Sequence, residues 1–247
     1  MLSSNTQVDE RVLTSWSLST GKRALDCTCA VVLLIVAAPL MLLIAALVKI
    51  TSSGPVFFRQ KRVGQSGEGF QLLKFRTMYH SIENGGPLVT RCGDRRVTSV
   101  GKWLRKWKLD ELPQFINVLK GEMSLVGPRP DMLKYIETLA GENRNILRFR
   151  PGITSPATLM FRNEEEVLAE VPTEEMEHFY ICNLLPQKVR TDLNYAECAT
   201  FSKDCRSIWR TVFAIIKHSK PKATPSRDPF ADLKEQWRDS GKVETNE

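Results

Sequence analysis

Apolar and polar positions sort this chain into one uncharged run, one hairpin and a set of amphipathic helices. The run lies between Asp26 and Lys49: 22 residues, CTCAVVLLIVAAPLMLLIAALV, without a charge. As one straight helix rising ~1.5 Å per residue it reaches ~33 Å, enough for a hydrocarbon core of about 30 Å. Pro39 divides it into 12 residues before and 9 after, and each part alone reaches only ~14–18 Å. Basic residues flank both ends, Lys22 and Arg23 before, Lys49, Arg59, Lys61 and Arg62 after, so the positive-inside rule claims both ends for the cytoplasmic side. Two topologies stay open: a kinked span, and a helix–break–helix that enters and leaves by one leaflet. The run starts too far from Met1, and lacks the small-residue cleavage pattern, to be a removed signal peptide.

Gly54-Pro55 ends the run. VFFRQKRVG and FQLLKFRTM then flank Gln65–Gly69, a β-hairpin pattern of β-branched and aromatic residues around a glycine-rich turn. GxxGxG here follows no strand-to-helix transition, which argues against a dinucleotide fingerprint. Residues 81–93 read as loop. From Val100 the pattern turns helical, with Trp103, Leu104 and Trp107 set among Lys102, Arg105, Lys106 and Lys108, the makeup of a helix lying in a membrane interface. Leu112, Phe115, Ile116 and Leu119 continue at i, i+3, i+4, i+7, and Gly121 supplies a stop. SLVGPRPD reads as a rigid loop, and Glu164–Glu177 and Glu175–Lys217 as helices with apolar faces. Beyond His218 the chain is polar and Pro-punctuated, the pattern of a loose tail.

Composition adds a direction to this picture. With 247 residues, 42% of them apolar and 26% charged, the chain can bury a core, and wholesale disorder is excluded. The net charge of +7 is concentrated: residues 49–108 carry 13 basic and 3 acidic side chains. Such a segment calls for an anionic partner, whether phosphate ligand, nucleic acid or lipid headgroup. Nucleic acid fits poorly, because the basic stretch follows directly on the membrane run and matches no recognised module. The six cysteines form no CxxC pair and the histidines do not cluster, which argues against a zinc site or a disulfide framework.

Two features carry candidate chemistry. The adjacent acids Asp110 and Glu111 open KLDELPQ. In the plainer reading Asp110 is an N-cap, Glu111 complements the helix dipole and Pro113 sits in a tolerant first turn. In the other, the pair follows a basic patch because the cations hold phosphates. One carboxylate then attacks phosphorus while its neighbour, about 100° away on a helix, binds Mg²⁺. The second feature is a set of cations in apolar or rigid contexts: Lys74 and Arg76 in KFRTM, and Arg129 between two prolines. A fixed backbone suits bidentate phosphate recognition, and equally suits a structural salt bridge. Arg95, Arg96 and Arg105 could also serve as headgroup contacts.

These pieces occur together in one family. GPVFFRQKRVG (54–64), KFRTM (74–78), DRRVTSVG (94–101), LDELPQFINVLKGEMSLVGPRP (109–130) and RPGIT (150–154) closely resemble the bacterial sugar transferases, the monotopic polyprenyl-phosphate phosphoglycosyl transferases, over roughly Lys22 to Lys217. The resemblance implies transfer of a sugar 1-phosphate from a UDP-sugar to undecaprenyl phosphate with release of UMP. This would be the first membrane step of glycan assembly (exopolysaccharide, capsule, O-antigen or glycoprotein glycan). It implies an aspartyl-phosphosugar intermediate on Asp110 and Mg²⁺ on Glu111, with Arg105 and Arg129 on phosphate groups and Lys74, Arg76 and Arg96 in the same site. It also implies a re-entrant membrane helix broken near Pro39. After PGIT the chain departs from the commonest family pattern, reading SPATLMFRNEEE, and the donor sugar stays unnamed.

The expected fold is α+β and mainly helical: a re-entrant membrane helix broken at Pro39, a small β-hairpin, and amphipathic interfacial helices around a cytoplasmic catalytic domain. The expected divisions are a lead at 1–21, the membrane helix at 22–50, the transferase domain at 51–217 and a polar tail at 218–247. The expected location is the bacterial cytoplasmic membrane, catalytic domain on the cytoplasmic face. The expected partners are the UDP-sugar, undecaprenyl phosphate and membrane lipids, without nucleic acid; a homodimer stays open. Two other functions remain: a non-catalytic membrane-anchored adaptor with a basic lipid-binding face, and a Mg²⁺-dependent phosphohydrolase on the same carboxylates.

Overall fold

The computed structural model describes residues 16–79 and 90–217 together with Phe230. The loop expected at 81–93 and the lead and tail expected at the termini therefore lie largely outside the described residues. Phe230 is an exception within the tail: it is buried and meets Phe161 edge-on, ring centroids 5.6 Å apart.

A 32-residue helix, α1 (Thr20–Thr51), opens the fold, capped by Ser19 Oγ, which accepts from Lys22 N at 3.1 Å. The hairpin follows as β1 (Phe57–Val63) and β2 (Gly69–Phe75), antiparallel with Phe57 opposite Phe75 and Val63 opposite Gly69. Next come α2 (Ser99–Lys106), a 3-10 turn at Leu109–Glu111, and α3 (Gln114–Lys120), stopped by Gly121 at φ +88°. A short strand β3 (Ser124–Val126) runs parallel to β4 (Gly152–Thr154), with α4 (Leu133–Glu137) and a 3-10 stretch (Gly141–Arg148) between them. The chain closes with α5 (Pro156–Met160), α6 (Glu164–Leu168), α7 (Met176–Phe179), one π-helical turn (Tyr180–Leu184), α8 (Leu185–Glu197) and α9 (Phe201–Lys217). The described part is mostly helical with two two-stranded sheets, and the hairpin stands where the sequence places it.

Among the described residues α1 is the one helix long and apolar enough to cross a membrane. The expected break at Pro39 is corrected: α1 continues through it as one helix. A proline removes one hydrogen bond and crowds the preceding turn, which bends a long helix without ending it when both flanks are strong helix. Both ends of α1 pack on the same body. Lys22, Asp26 and Ala30 are buried toward α3 and β3, while Ile44 and Val48 are buried with Phe75 and Leu104. Between them the apolar surface is bare, with Ile35, Val36 and Leu42 each at least 70% exposed.

Polar bonds fix both ends. Near the N-terminus Asp26 accepts from Ser124 Oγ (2.7 Å) and Leu125 N (3.2 Å). Lys22 donates to Asp204 of α9 at 2.5 Å, and the same carboxylate takes Trp16 Nε1 and Tyr195 OH. Arg23 closes the end of α3 by donating to the carbonyls of Val118 and Leu119, where a cation complements the helix dipole.

Two close approaches set α2 and the parallel strands. A Cβ on Gly101 would lie 2.1 Å from the Thr77 carbonyl oxygen, and one on Gly152 would lie 2.1 Å from Gly127 N; only glycine admits backbones at that distance. Asn117, fully buried on α3, donates to Gln71 O (2.7 Å) and Glu122 (2.6 Å) and accepts from Leu73 N (3.0 Å). Its amide thus occupies the place of a third strand on the open edge of β2. Without it, each orphaned backbone group would cost about 1–3 kcal/mol. The apolar stripe predicted for α3 is only half-buried at Phe115 and Ile116 and exposed at Leu119, and the buried face is Gln114, Asn117 and Val118. On α9 the inversion goes further: Asp204 and Ser207 face inward while Phe201, Trp209, Phe213 and Ile216 face out, and Ile208 packs against the core.

Candidate active site

The backbone turns sharply between α2 and α3, and the turn is what presents the two acids. Lys108 adopts a left-handed conformation (φ +54°), unusual for a residue with a Cβ. The chain then tightens through Leu109–Glu111, with Glu111 N bonded to Lys108 O at 3.3 Å. Pro113 precedes α3 at φ −61°, a geometry its ring prefers. Both acids end up buried, Asp110 at 6% exposure and Glu111 at 8%.

Asp110 caps no helix: the turn and α3 both begin without a side-chain cap bond. Its Oδ1 is buried with no hydrogen-bond partner among the described residues. Burial pushes its carboxyl above the usual range, Lys74 opposes the rise, and the charge of Glu111 adds to it. A buried acceptor left free is costly, and it is also an oxygen ready to meet an electrophile or a cation.

Glu111 is held in the opposite way. Its Oε1 accepts from Lys74 Nζ of β2 at 2.8 Å and from Arg129 Nη2 at 3.1 Å. Burial alone would raise its carboxyl, but Lys74, Arg129 and Lys108 outweigh that and hold it well below the carboxylate range. In return Glu111 raises the Arg129 guanidinium against burial, whereas burial wins at Lys74 and lowers it despite Glu111. The two acids are thus adjacent in sequence and shifted in opposite directions.

Other predicted residues divide. Arg105 donates from Nε to Thr77 Oγ1 (3.0 Å), lies 3.7 Å from Glu165, and is close enough to help lower Asp110. Arg96 grips Asp94 through Nε and Nη2 at 2.6–3.1 Å. Arg76 is a correction. It is 2% exposed and donates to the carbonyls of Val48, Ser52 and Pro55 and to Ser52 Oγ. Those carbonyls are the open C-terminal end of α1 and the turn after it; Arg76 ties the long helix to the hairpin and does not face the acid pair.

The PRP loop brings in residues that sequence reading missed. Asp131 accepts from Arg62 Nη1 (3.2 Å) and Tyr180 OH (2.8 Å). Lys188 bonds Glu164 at 2.7 Å, and Asp192 accepts from Ala157 N (3.0 Å) and Arg129 N (3.3 Å). Burial pushes the Asp192 carboxyl up to about 6, opposed by the bonds from Ala157, Ser155 and Arg129 and by Lys188. The signal in the sequence was Lys188 and Asp192 four apart on a helix whose same face carries Leu185 and Val189: buried charges among apolar residues need partners.

For a hard divalent cation the donor set is two carboxylates, and no group of three or more His, Cys, Asp or Glu side chains that could hold a metal is found among the described residues. Mg²⁺ is commonly held by one or two carboxylates together with substrate phosphates. The unpartnered Oδ1 of Asp110 beside Glu111 fits that pattern.

The family model described as bacterial sugar transferase matches residues 17–218. Over 201 residues the chain is 38% identical to the UDP-glucose:undecaprenyl-phosphate glucose-1-phosphate transferase of Caulobacter vibrioides, covering 79% of this chain and 69% of that one. Over 144 residues it is 44% identical to the UDP-N-acetylgalactosamine-undecaprenyl-phosphate N-acetylgalactosaminephosphotransferase of Aeromonas hydrophila, covering 56% of this chain and 34% of the relative. A third, the UDP-glucose:undecaprenyl-phosphate glucose-1-phosphate transferase of Escherichia coli, is 37% identical over 198 residues, covering 78% and 39%. The chain therefore spans less than half the length of the Aeromonas and Escherichia relatives.

Proposed function

The chain belongs to the bacterial sugar transferase family, and from that premise we propose that it moves a sugar 1-phosphate from a UDP-sugar to undecaprenyl phosphate. The observation that carries this reading is the acid pair: one buried carboxylate oxygen free of partners among the described residues, beside a second carboxylate locked by Lys74 and Arg129.

In the first step an Asp110 oxygen attacks the phosphorus bonded to the sugar. The bond from that phosphorus to the bridging oxygen breaks, and UMP leaves with the electron pair. The sugar phosphate is then held on Asp110 as an acyl phosphate. In the second step a phosphate oxygen of undecaprenyl phosphate attacks the same phosphorus and Asp110 leaves as a carboxylate. Arg105 and Arg129 offset the donor's charge, which otherwise repels an anionic nucleophile. Mg²⁺, with Glu111 as its protein ligand, would neutralise diphosphate charge when bound. Arg96 lies in the same basic stretch and is assigned a donor contact on the strength of its motif alone.

The membrane reading follows from α1. Both of its ends pack on one body and its middle is bare and apolar, which supports a helix that dips into one leaflet and returns. A straight crossing would carry one end about 30 Å away from that body. Interfacial helices are supported by Trp103 on α2 and by the outward Trp209, Phe213 and Ile216 of α9. The setting is the cytoplasmic membrane with the acid pair at headgroup depth on the cytoplasmic side. Thiol labelling of single cysteines placed at residues 20 and 52 should mark both from the same side of the membrane; labelling from opposite sides rules out re-entry.

The activity is tested by UMP release from a panel of UDP-sugars with purified protein, Mg²⁺ and undecaprenyl phosphate. One donor is expected to give turnover with acceptor, and a single stoichiometric release of UMP without it. Continuous donor consumption in the absence of lipid would identify a phosphohydrolase instead. No release from any donor would remove the transferase reading.

A further inference from the structure

We propose that Asp192 is a positioning residue for Arg129: its carboxylate fixes the backbone of the PRP loop and thereby holds the guanidinium on the acid pair. The inference deepens the transferase reading and rests on it.

The parallel strands β3 and β4 are so close that glycine is required at both Gly127 and Gly152. From their C-terminal ends the chain departs in two directions, into Gly127–Asp131 and into Ser155, which caps α5 by accepting from Thr158 N at 2.9 Å. The carboxylate of Asp192, 3% exposed, sits between these departures. One oxygen takes Ala157 N and the other takes Arg129 N. Pro128 and Pro130 have no N–H, so between the two prolines Arg129 offers the only backbone donor, and Asp192 receives it.

That bond decides where the Arg129 side chain starts. Two prolines hold φ on either side of Arg129, but they do not set how far the loop stands from α5. Backbone bonds from Gly127 and Pro128 to β4 hold the start of the loop, and at Arg129 itself the carboxylate joins the loop to the first turn of α5. Elsewhere the loop is tied on either side of Arg129: before it, Gly127 N donates to Thr154 O and Pro128 O accepts from Gly152 N, and after it Pro130 O and Asp131 accept from Arg62 while Asp131 also accepts from Tyr180 OH. A guanidinium that must meet a carboxylate and a phosphate in a plane tolerates little displacement at its root. Lys188, one turn earlier on α8, is engaged by Glu164 and by Tyr180, whose hydroxyl in turn donates to Asp131.

A double-mutant cycle separates positioning from general structural support. UMP release is measured as kcat and donor KM for wild type, Asp192→Asn, Arg129→Ala and the double variant, at a temperature where each is folded by thermal melting. Asp192→Asn is expected to lower kcat/KM about tenfold or more, chiefly through donor KM. In the Arg129→Ala background the same substitution should change it by less than about twofold. An equal factor in both backgrounds overturns the proposal. If Asp192→Asn does not fold, Asp192→Ser takes its place in the cycle. Failure of both to fold assigns Asp192 a purely structural role and also overturns it. Wild-type activity unchanged in Arg129→Ala would show the fault to lie in the reading of Arg129 itself.

Discussion

UMP release falls by roughly three orders of magnitude or more in Asp110→Asn, while the protein keeps or raises its thermal midpoint. The two halves of this expectation share one cause. The Oδ1 of Asp110 is buried without a hydrogen-bond partner among the described residues, and burial outweighs Lys74, Lys108 and Arg105 in raising its carboxyl, so a charge there costs the folded chain more than its neighbours return. Replacing the carboxylate by an amide removes that charge along with the nucleophile. A group whose folded pKa is raised weakens the fold as pH rises past its unfolded value, and an amide has no such dependence. Kinetics and thermal melting of the same preparation check both halves. Turnover within tenfold of wild type would remove Asp110 as nucleophile, and a large drop in midpoint would mean that its carboxylate is stabilising after all.

One residue further on the outcome reverses. Glu111→Gln should lose activity and also about 2–4 kcal/mol of stability, because it leaves Lys74 and Arg129 paired to nothing. Glu111 and Lys74 are 10% and 19% exposed, which leaves water little room to replace the lost partner at Lys74, while Arg129, at 30%, stays within reach of water and contributes less. At about 2–4 °C per kcal/mol for a domain of this size, the midpoint should fall by roughly 5–15 °C. Its pH dependence has a definite sign. The folded pKa is depressed, so this stabilisation is complete above the unfolded value near ~4.3 and is lost as pH falls through the folded one. Acid titration of the melting temperature should therefore show a loss below about pH 4 in wild type that is smaller in Glu111→Gln. Equal stability of the two proteins at neutral pH would refute the ion-pair reading.

Much of the site was legible because it is local. Asp110, Glu111 and the Gly121 stop lie within one short segment, and the hairpin announces itself by β-branched and aromatic residues around the glycine-rich Gln65–Gly69. What stayed hidden depends on chain segments far apart. Strands β3 and β4 have three residues each, too few for any alternation to be read, and they exist because Gly127 meets Gly152. Arg76 sits two residues from Lys74, so strand alternation puts both cations on one face; β2 ends at Phe75, and past that end Arg76 turns to the end of α1 while Lys74 meets Glu111. Nor does an apolar stripe reveal which way it points. On α3 and α9 polar residues turn inward because Asn117 and Asp204 each satisfy several buried groups at once, and apolar residues such as Leu119, Trp209 and Phe213 are left outside.

Asp204 gives the molecule a timetable. It is bonded to Lys22 at a separation of 182 residues, and chains are synthesised at about 5–20 residues per second. Lys22 therefore emerges roughly 10–40 s before its partner exists. For that interval the long helix carries a cation whose buried seat cannot be completed, and its first turn must stay in contact with water. Only when α9 arrives, bringing Asp204 to Lys22, Trp16 and Tyr195 together, does the foot of the helix close. Seating of the helix thus waits for a segment made 182 residues after Lys22.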